Sequence, residues 1–173
     1  MMTLYEATKD KHHACEQHAV GQRMAAGAIT PQEWADWLAA FRAVHVIIDP
    51  IHPAHLARVA LLDADLALLP PPRSGKATQA LADSLTGADA INAAAYVLHG
   101  AHRRGGRVLA STMGRAGLPT AHVIYPLPAD TEAFVVALRT RSDIADAARA
   151  VFAGLLAVMD EIEANARAAQ VTA

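Results

Sequence analysis

Apolar residues recur at three- and four-residue steps through most of the chain. One such stripe comprises Trp34, Trp37, Leu38, Phe41, Val44, His45 and Ile48, and another comprises Ala148, Phe152, Leu155, Leu156, Met159 and Ile162. This spacing places side chains on one face of an α-helix. No segment shows the strict apolar–polar alternation of a half-buried strand. The pattern therefore predicts an all-α fold.

Two helix starts are marked by capping signals. Thr3 with Glu6, and Thr30 with Glu33, form the Ser/Thr-x-x-Glu pattern of a capping box, and Pro31 suits the first helical position. A later start is expected at Asp130 or Thr131. The predicted long helices are 3–18, 31–48, 54–69, 77–85, 88–115 with an interruption, about 130–141, and 142–168. After the first of them, a short helix or turn is predicted through Met24, ending at Gly27.

The predicted helix 88–115 contains Gly100, Gly105 and Gly106 in its middle. Each glycine inside a helix costs about 1 kcal/mol relative to alanine. A chain accepts this cost mainly where its backbone bends or approaches another group closely. Tight helix–helix packing, or a simple break between two helices, would explain the glycines equally well.

The N-terminal stretch 6–16 concentrates ionisable side chains, including the adjacent pair His12 and His13. Helical spacing puts His12 on one face with Tyr5, Thr8 and either Cys15 or Glu16. A histidine on an inward-facing stripe is either a core residue with a hydrogen-bond partner or a ligand. The pattern alone leaves both interpretations open.

Composition indicates one domain, residues 1–173, with 169–173 as a frayed tail. The 173 residues are 53% hydrophobic but only 5% aromatic, and the excess of alanine and leucine favours helices. A net charge of -2 gives no indication of a nucleic-acid or membrane-surface partner. The single Cys15 excludes an internal disulfide and fits a reducing compartment. Without a signal-like or membrane-spanning apolar run, we expect a cytoplasmic protein.

Nine histidines are numerous for this length, but they do not follow a zinc-binding pattern. The Cys/His spacings of structural zinc sites and the His-Glu-x-x-His pattern are absent. His99 and His102 are one helical turn apart and would need further ligands to hold a metal. His52 and His55, on either side of Pro53, are expected to face water.

Two stretches together resemble the heme oxygenase family. The segment from Leu4 to Glu16, with Glu6-Ala7-Thr8-Lys9 ahead of His12, is similar to the family's first helix. The segment from Tyr96 to Leu109, with Gly105-Gly106, is similar to its glycine-rich distal helix. The start Thr30-Pro31-Gln32-Glu33-Trp34 also resembles bacterial members. The resemblance covers most of the chain in the right order.

The resemblance implies a single helical bundle that holds heme b between a proximal N-terminal helix and a glycine-kinked distal helix. His12 would ligate the iron, with Glu16 as acceptor for its second ring nitrogen. Lys9 and Arg139 would bind the propionates, and Phe152 would pack near the heme.

Gly105 and Gly106 would let the distal backbone approach iron-bound O2. The resemblance implies oxidative cleavage of heme to biliverdin, CO and iron, with heme as both substrate and cofactor. Because the sequence has no flavin or nicotinamide motif, the electrons would come from a reductase or a ferredoxin.

The sequence departs from the family at one place. Common members carry Gly-Asp ahead of the Gly-Gly pair, and the aspartate organises waters that deliver protons to bound oxygen. Here Ala101 and His102 occupy those positions. His102 would either take over the water network or bind the iron itself. Heme binding is therefore better supported than heme cleavage.

Three other functions fit the sequence. The first is a non-catalytic heme-binding or heme-sensing protein of the same fold, with His12 and His102 on opposite heme faces. The second is a non-heme iron oxidase or a thiaminase-like enzyme on a related helical scaffold, with candidate ligands Glu16, His45, Asp49, His99 and His102. The third is a purely structural helical module.

Overall fold

All regular secondary structure in the described part of the chain is helical, as the sequence predicts. The computed structural model describes residues 3–73 and 75–171, without the side chain of Arg104. The α-helices are α1 (Leu4–Gln17), α2 (Ala19–Ala26), α3 (Pro31–Ile48), α4 (Val59–Leu66), α5 (Lys76–Ser84), α6 (Gly87–Arg115), α7 (Pro128–Arg139) and α8 (Ala145–Val171). Short 3-10 turns occupy Ala54–Leu56, Ala121–Val123 and Ser142–Ile144.

The two predicted capping boxes are confirmed. At the start of α1, the Thr3 side chain accepts from the Glu6 backbone N–H, and the Glu6 carboxylate accepts from the Thr3 N–H. Thr30 and Glu33 repeat this exchange at the start of α3. Each box satisfies backbone donors that have no partner within the helix. The first of these helices carries His12. The cap fixes the residue at which α1 begins, and with it the place of His12 along the helix.

Helix α8 is the scaffold against which most of the other helices pack. It contacts α1, α2, α3, α5 and α6, while α6 also contacts α2, α3 and α7. Most of the two apolar stripes predicted from the sequence is buried in this core, with Trp34, Leu38, Val44, Ile48, Ala148, Leu155, Met159 and Ile162 all at most 4% exposed. Burial of such side chains stabilises the fold by roughly 1.5–3 kcal/mol each.

The predicted helix 54–69 is too long at both ends, since α4 spans only Val59–Leu66. The chain instead forms a 3-10 turn at Ala54–Leu56, and α4 begins only at Val59. The Asp49 carboxylate accepts from the backbone N–H groups of Arg58 and Val59. The Arg58 side chain donates to carbonyl oxygens of His55, Leu56 and Ile124. Asp49 and Ile124, which lie outside the segment, help to hold it out of helical geometry, and the sequence of the segment itself does not encode them.

Three other predicted boundaries need correction. The interruption expected in 88–115 is absent, because α6 is one continuous helix over Gly87–Arg115. Helix α7 starts at Pro128, since proline suits a first helical position, and Thr131 bonds back to the Leu127 carbonyl instead of capping. The last helix continues to Val171, past the predicted end at Ala168. Of the tail predicted as frayed, Thr172 and Ala173 lie outside the described residues, as does Ser74 in the loop before α5.

Among the described helices, none is both long enough and apolar enough to cross a membrane.

We expect Gly21→Ala to destabilise the corner between α1 and α2. A Cβ on Gly21 would overlap the carbonyl oxygen of Cys15, which is backbone and cannot move aside cheaply. The expected loss is about 1–3 kcal/mol of unfolding free energy. For a chain of this size, that lowers the thermal midpoint by roughly 2–4 °C per kcal/mol. Gly114→Ala is the matched control, because nothing lies within 4 Å of its added Cβ. Equal midpoints for the two variants would contradict this account of the corner.

Candidate functional site

A cavity of about 560 Å³ lies between α1, α2, α3, α6, α7 and α8. This is within the range of about 300–1,000 Å³ typical of ligand and cofactor sites. Most of its wall is apolar, formed by Met24, Trp37, Phe41, Val97, Val108, Leu109, Val135, Val136, Phe152, Leu155 and Met159. The cavity is therefore suited to a large, mainly apolar ligand that is anchored by a few polar groups.

Helix α1 contributes Tyr5, His12, Cys15 and Glu16 to the cavity wall. The His12 side chain is 47% exposed, and its Nδ1 atom lies 3.6 Å from Glu16 Oε1. Its ring meets the Phe152 ring edge-on, with centroids 6.1 Å apart. The imidazole is therefore accessible from the cavity and has a carboxylate one helical turn away. Its neighbour His13 is 70% exposed and does not line the cavity.

Cys15 is the other potential soft ligand in this wall. Burial raises the pKa of its thiol to about 11, and the nearby Glu16 carboxylate adds to the shift. The thiol is therefore protonated at neutral pH, whereas a metal binds the thiolate. His12 is left as the better metal donor on α1.

Helix α6 presents its small residues Gly100, Ala101 and Gly105 to the cavity. An added Cβ at Gly105 would meet nothing within 4 Å, so this position opens toward free space. Gly106 faces the other way, where an added Cβ would lie 3.1 Å from Val123 Cβ. Of the two glycines predicted to lie over the ligand, only Gly105 lines the cavity. Gly106 lets α6 pack against the 3-10 turn at Ala121–Val123.

Cations lie at the cavity wall on α6 and α7. The Arg139 guanidinium stacks over the Tyr5 ring at 4.8 Å, and Arg103 pairs with Glu132. Both arginines line the cavity. Lys9 is exposed between Tyr5 and His12 on the same side of α1, and its side chain is not part of the wall. The cation site expected from the sequence is therefore built around Arg139.

The prediction that His102 faces the ligand is not met by its position in the structure. Its side chain is buried, with 3% exposure, and it is not among the described residues that line the cavity. The ring stacks on Phe41, with centroids 5.0 Å apart and planes inclined by 23°. Because Ala101 lines the cavity, the next residue, about 100° further around the helix, points toward the core behind it.

His102 belongs to a group of four buried imidazoles, which we call the histidine cluster: His45, His99, His102 and His122, with Tyr125 between two of them. Their ring centroids are 5.3–5.7 Å apart for the pairs 45–99, 45–102 and 102–122. The Tyr125 hydroxyl lies 2.7 Å from His99 Nδ1 and 3.3 Å from His102 Nδ1. The cluster thus joins α3, α6 and the segment 122–125.

Two carboxylates bind rings of the cluster. Asp49 lies 2.8 Å from His45 Nδ1, and Asp65 lies 2.6 Å from His122 Nδ1. Burial alone would raise the pKa of each carboxyl, but hydrogen bonds from the histidine and from backbone N–H groups hold both below their ordinary values. Both aspartates are therefore ionised and act only as acceptors.

The central rings are neutral. Burial lowers the pKa of His99 to about 3, with a smaller contribution from the nearby His45. Burial also holds the pKa of His102 well below its ordinary value, and it lowers that of His45. Burial raises the pKa of the Tyr125 hydroxyl, despite the opposing charge of Arg58. At neutral pH the rings of His45, His99 and His102 are therefore uncharged and the Tyr125 phenol is protonated.

The structure brings together six of the nine site residues predicted from the sequence. His12, Glu16, Ala101, Gly105, Arg139 and Phe152 all line the cavity, whereas Lys9, His102 and Gly106 do not. Trp37 and Phe41 were expected to be core residues, and they are also cavity wall. Tyr125, Asp65 and Arg58 carry no motif, so the sequence did not indicate their part in the histidine cluster. The high histidine count was the one available signal.

The expectation that His52 and His55 face water is wrong. Both side chains are only partly exposed, and their Nε2 atoms are buried without a hydrogen-bond partner. The His52 ring lies 5.1 Å from the Phe134 ring. The loop between α3 and α4 folds inward because Asp49 and Arg58 bind its backbone.

In the part of the chain that the structure describes, no three His, Cys, Asp or Glu residues are arranged to hold a metal ion directly. Of the ligands considered for a non-heme iron site, Glu16 lies at the cavity. His45, His99 and His102 lie in the histidine cluster, and Asp49 is bound to His45 there. These residues therefore do not converge on one point.

Comparison with solved structures identifies the architecture. The chain superposes on heme oxygenase-1 from the cyanobacterium Synechocystis, in complex with heme, with a TM-score of 0.83 and 20% identity over 98% of this chain and 95% of that one. It superposes on a heme oxygenase from Leptospira interrogans with a TM-score of 0.79 and 20% identity over 91% and 97% of the two chains. No family model and no curated protein matches the sequence. The chain therefore has the heme oxygenase fold.

The adjacent glycines of α6 should respond oppositely to alanine. Gly105→Ala adds a methyl group to open space and raises helix propensity, so we expect unchanged or slightly higher stability, by up to about 1 kcal/mol. Gly106→Ala presses on Val123, and we expect a loss of about 1–3 kcal/mol. Urea unfolding of both variants measures the difference. A stability loss for Gly105→Ala equal to that for Gly106→Ala would contradict the assigned orientation of α6.

The buried neutral histidines predict acid sensitivity. An unfolded histidine has a pKa of about 6.5, whereas the folded His99 titrates at about 3. Between these values the unfolded state binds the extra proton, so the ring's contribution to stability is present above about pH 6.5 and is lost as pH falls. For one such ring, the loss at pH 5 is about 2 kcal/mol.

Urea unfolding at pH 7.5 and pH 5.0 tests this loss. We expect a smaller difference between the two pH values for His99→Gln than for the unmodified chain. The control His13→Gln changes a ring that is 70% exposed and should leave the difference as it is. The same pH dependence in His99→Gln as in the unmodified chain would rule out His99 as a source of the acid sensitivity.

Proposed function

We propose that the chain is a heme oxygenase, which binds heme in the apolar cavity and cleaves it to biliverdin, CO and iron. The observation that carries the proposal is that one cavity holds an accessible imidazole, His12, together with the glycine face of α6. The fold shared with the heme-bound cyanobacterial enzyme supports it. Bound heme would supply the iron that activates O2, while electrons would come from an external reductase or ferredoxin.

The residues of the cavity fit heme. His12 carries a ring nitrogen suited to iron, and Glu16 is near enough to orient the ring through the other nitrogen. Trp37, Phe41, Phe152 and the aliphatic wall residues suit a flat apolar macrocycle.

Arg139 supplies a cation for a carboxylate of the ligand. No carboxylate among the described side chains pairs with Arg139. Its guanidinium makes a cation–π contact with the Tyr5 ring. It is therefore available to a propionate. Lys9, exposed beside this region, remains a predicted second propionate partner.

The α6 wall explains why small residues suit this chemistry. Gly100, Ala101 and Gly105 leave the space beside the helix free of larger side chains, so a ligand can lie close to the backbone. Ala101 occupies the position of the glycine in common family members and adds one methyl group to this space. Phe41 and Val97 contribute apolar side chains to the same cavity.

A non-catalytic heme-binding protein is the second candidate, and the replacement of the distal aspartate by His102 is the observation that favours it. If His102 were the second iron ligand, its ring would have to leave its stacked position on Phe41 and turn to the cavity face of α6. The ring would also lose its contact with Tyr125. These constraints favour heme with only His12 as protein ligand, as an oxygenase needs.

Hemin titration followed by reduction in air tests the proposed function. We expect saturable binding of one hemin per chain, seen as a Soret band. Adding ascorbate, or a reductase with its electron source, should then replace that band by the absorption of biliverdin. Absence of hemin binding would refute the proposal. A stable six-coordinate spectrum that persists through reduction and CO would favour the non-catalytic alternative.

Substitution of His12 by alanine should remove the iron ligand and abolish turnover, while residual hemin binding through the apolar wall persists. His13→Ala is the matched control, because its side chain is exposed and outside the cavity. The measurement is the ligand-field region of the ferric spectrum, compared across the two variants and the unmodified chain. Unchanged ligation features in His12→Ala would refute the assignment of this residue.

A further inference from the structure

The Arg149 side chain on α8 joins that helix to α1. Its Nη1 atom donates to the backbone carbonyl oxygen of Ala7 and to Asp10 Oδ1, both at 2.7 Å, and its Nη2 atom donates to Asp10 Oδ2 at 2.9 Å. Two parallel bonds from one guanidinium to one carboxylate fix the relative direction of the two groups as well as their distance. Arg149 therefore binds α1 at a side chain and at the backbone together.

This contact lies on the side of α1 that faces away from the cavity. Successive residues are about 100° apart around a helix, so Ala7 lies about 140° and Asp10 about 160° around α1 from His12. Neither of the two is among the described residues that line the cavity, whereas His12 is. On the cavity side, the His12 ring meets the ring of Phe152, which follows Arg149 by less than one turn of α8. Helix α8 thus contacts α1 on two opposite flanks.

Apolar packing alone leaves the rotation of α1 about its own axis weakly defined. Leu4 and Thr8 are the buried side chains among the described residues of this helix, and the Thr8 hydroxyl donates within α1, to the Leu4 carbonyl oxygen. Burial of apolar surface has no preferred direction. The bonds from Arg149 are directional and come from outside the helix, so they select one rotation of α1.

The His12 ring takes its direction from the backbone of α1. Its Nδ1 atom lies 3.6 Å from Glu16 Oε1, beyond the usual hydrogen-bond distance, and its ring meets the Phe152 ring only edge-on, with centroids 6.1 Å apart. Neither contact fixes the direction of the imidazole. Side-chain atoms lie about 5–6 Å from a helix axis, so a rotation of α1 by about 10° moves them by about 1 Å.

We propose that Arg149 is a positioning residue for heme. By binding Ala7 and Asp10 it sets the rotation of α1, and thereby the direction in which His12 presents its ring nitrogen to the iron. The part of this inference that concerns heme rests on the proposed function. The part that concerns α1 does not, because the bonds from Arg149 join two helices of the chain itself.

The pair of Arg149 and Asp10 acts on orientation more than on stability. Their side chains are 38% and 58% exposed, and exposed ion pairs add little to the free energy of unfolding. The hydrogen bond from Arg149 lowers the pKa of Asp10, so the carboxylate is ionised at neutral pH and the paired bonds persist. A misplacement of about 1 Å at a reacting site can lower its rate about 10²-fold. Loss of Arg149 is therefore expected to change heme ligation and turnover in a chain that stays folded.

Hydrogen exchange on the full chain without heme tests the contact with α1. We expect Arg149→Gln to speed the exchange of backbone amides in α1, most strongly in the turn that contains Asp10. Arg42→Gln is the matched control. Arg42 is 41% exposed and pairs with Asp63 between α3 and α4, so this variant removes a similar ion pair away from α1. Equal exchange of α1 in Arg149→Gln and in the unmodified chain would overturn the proposal.

Resonance Raman spectra of the ferrous heme complex test the positioning of His12, because the iron–histidine stretching band reports how the imidazole meets the iron. We expect Arg149→Gln to shift or broaden this band and to lower turnover about tenfold, while hemin still binds through the apolar wall. Arg149→Lys keeps the charge but lacks the two-pronged geometry of the guanidinium, so it should restore the band only in part. Arg42→Gln should keep the band of the unmodified chain.

A second variant reaches the same contact from the other helix. Asp10→Asn removes the charge of the carboxylate but keeps the bond from Arg149 to the Ala7 carbonyl oxygen, so we expect a smaller effect in the same direction.

The outcomes separate the two proposals. If the unmodified chain binds no hemin, the proposed function is wrong and the heme part of this inference falls with it, while amide exchange still decides whether Arg149 holds α1. If hemin binds but Arg149→Gln shows the iron–histidine band of the unmodified chain, the positioning role is wrong, even where the variant is less stable.

Discussion

The orientation of α6 depends on the hydrogen bonds between Tyr125 and the rings of His99 and His102. A buried imidazole without a partner is costly, so these bonds favour the rotation of the helix that brings both Nδ1 atoms to the hydroxyl. That rotation places Gly100, Ala101 and Gly105 on the opposite side, where they form the cavity wall. The polar requirement of the core therefore sets the shape of the ligand site.

Two carboxylates extend this constraint to the rest of the fold. Asp49 fixes His45 and also begins α4 by accepting from the backbone of Arg58 and Val59. Asp65 fixes His122 and accepts from the backbone of Ala121 as well. Each carboxylate thus connects a ring of the histidine cluster to a loop. The loops 49–59 and 120–125 are held by these polar contacts together with the buried side chains of Leu56 and Val123.

Most helices, and six of the nine predicted site residues, could be predicted from the sequence because their signals are local. Thr30, Pro31 and Glu33 lie within one turn, and Tyr5, His12 and Glu16 follow helical spacing on one face of α1. The orientation of His102 was not readable, since it depends on Tyr125 and Phe41, which lie 23 and 61 positions away in the chain. The split of 54–69 was missed for the same reason: Asp49 acts on α4 from outside it.

The two tasks of the proposed enzyme are assigned to different elements, and this bears on the departure at Ala101 and His102. Heme binding would rest on α1, α7 and α8 through His12, Arg139 and Phe152. Among the described residues, these three make their ring contacts with one another and with Tyr5, away from the histidine cluster. Proton supply would rest on α6 and the loops behind it. A change from a carboxylate to an imidazole at position 102 would therefore alter proton supply while leaving heme binding intact. Because the His102 imidazole is neutral and stacked on Phe41 in the interior, it brings no charge to the cavity, whereas a carboxylate would act through its own charge.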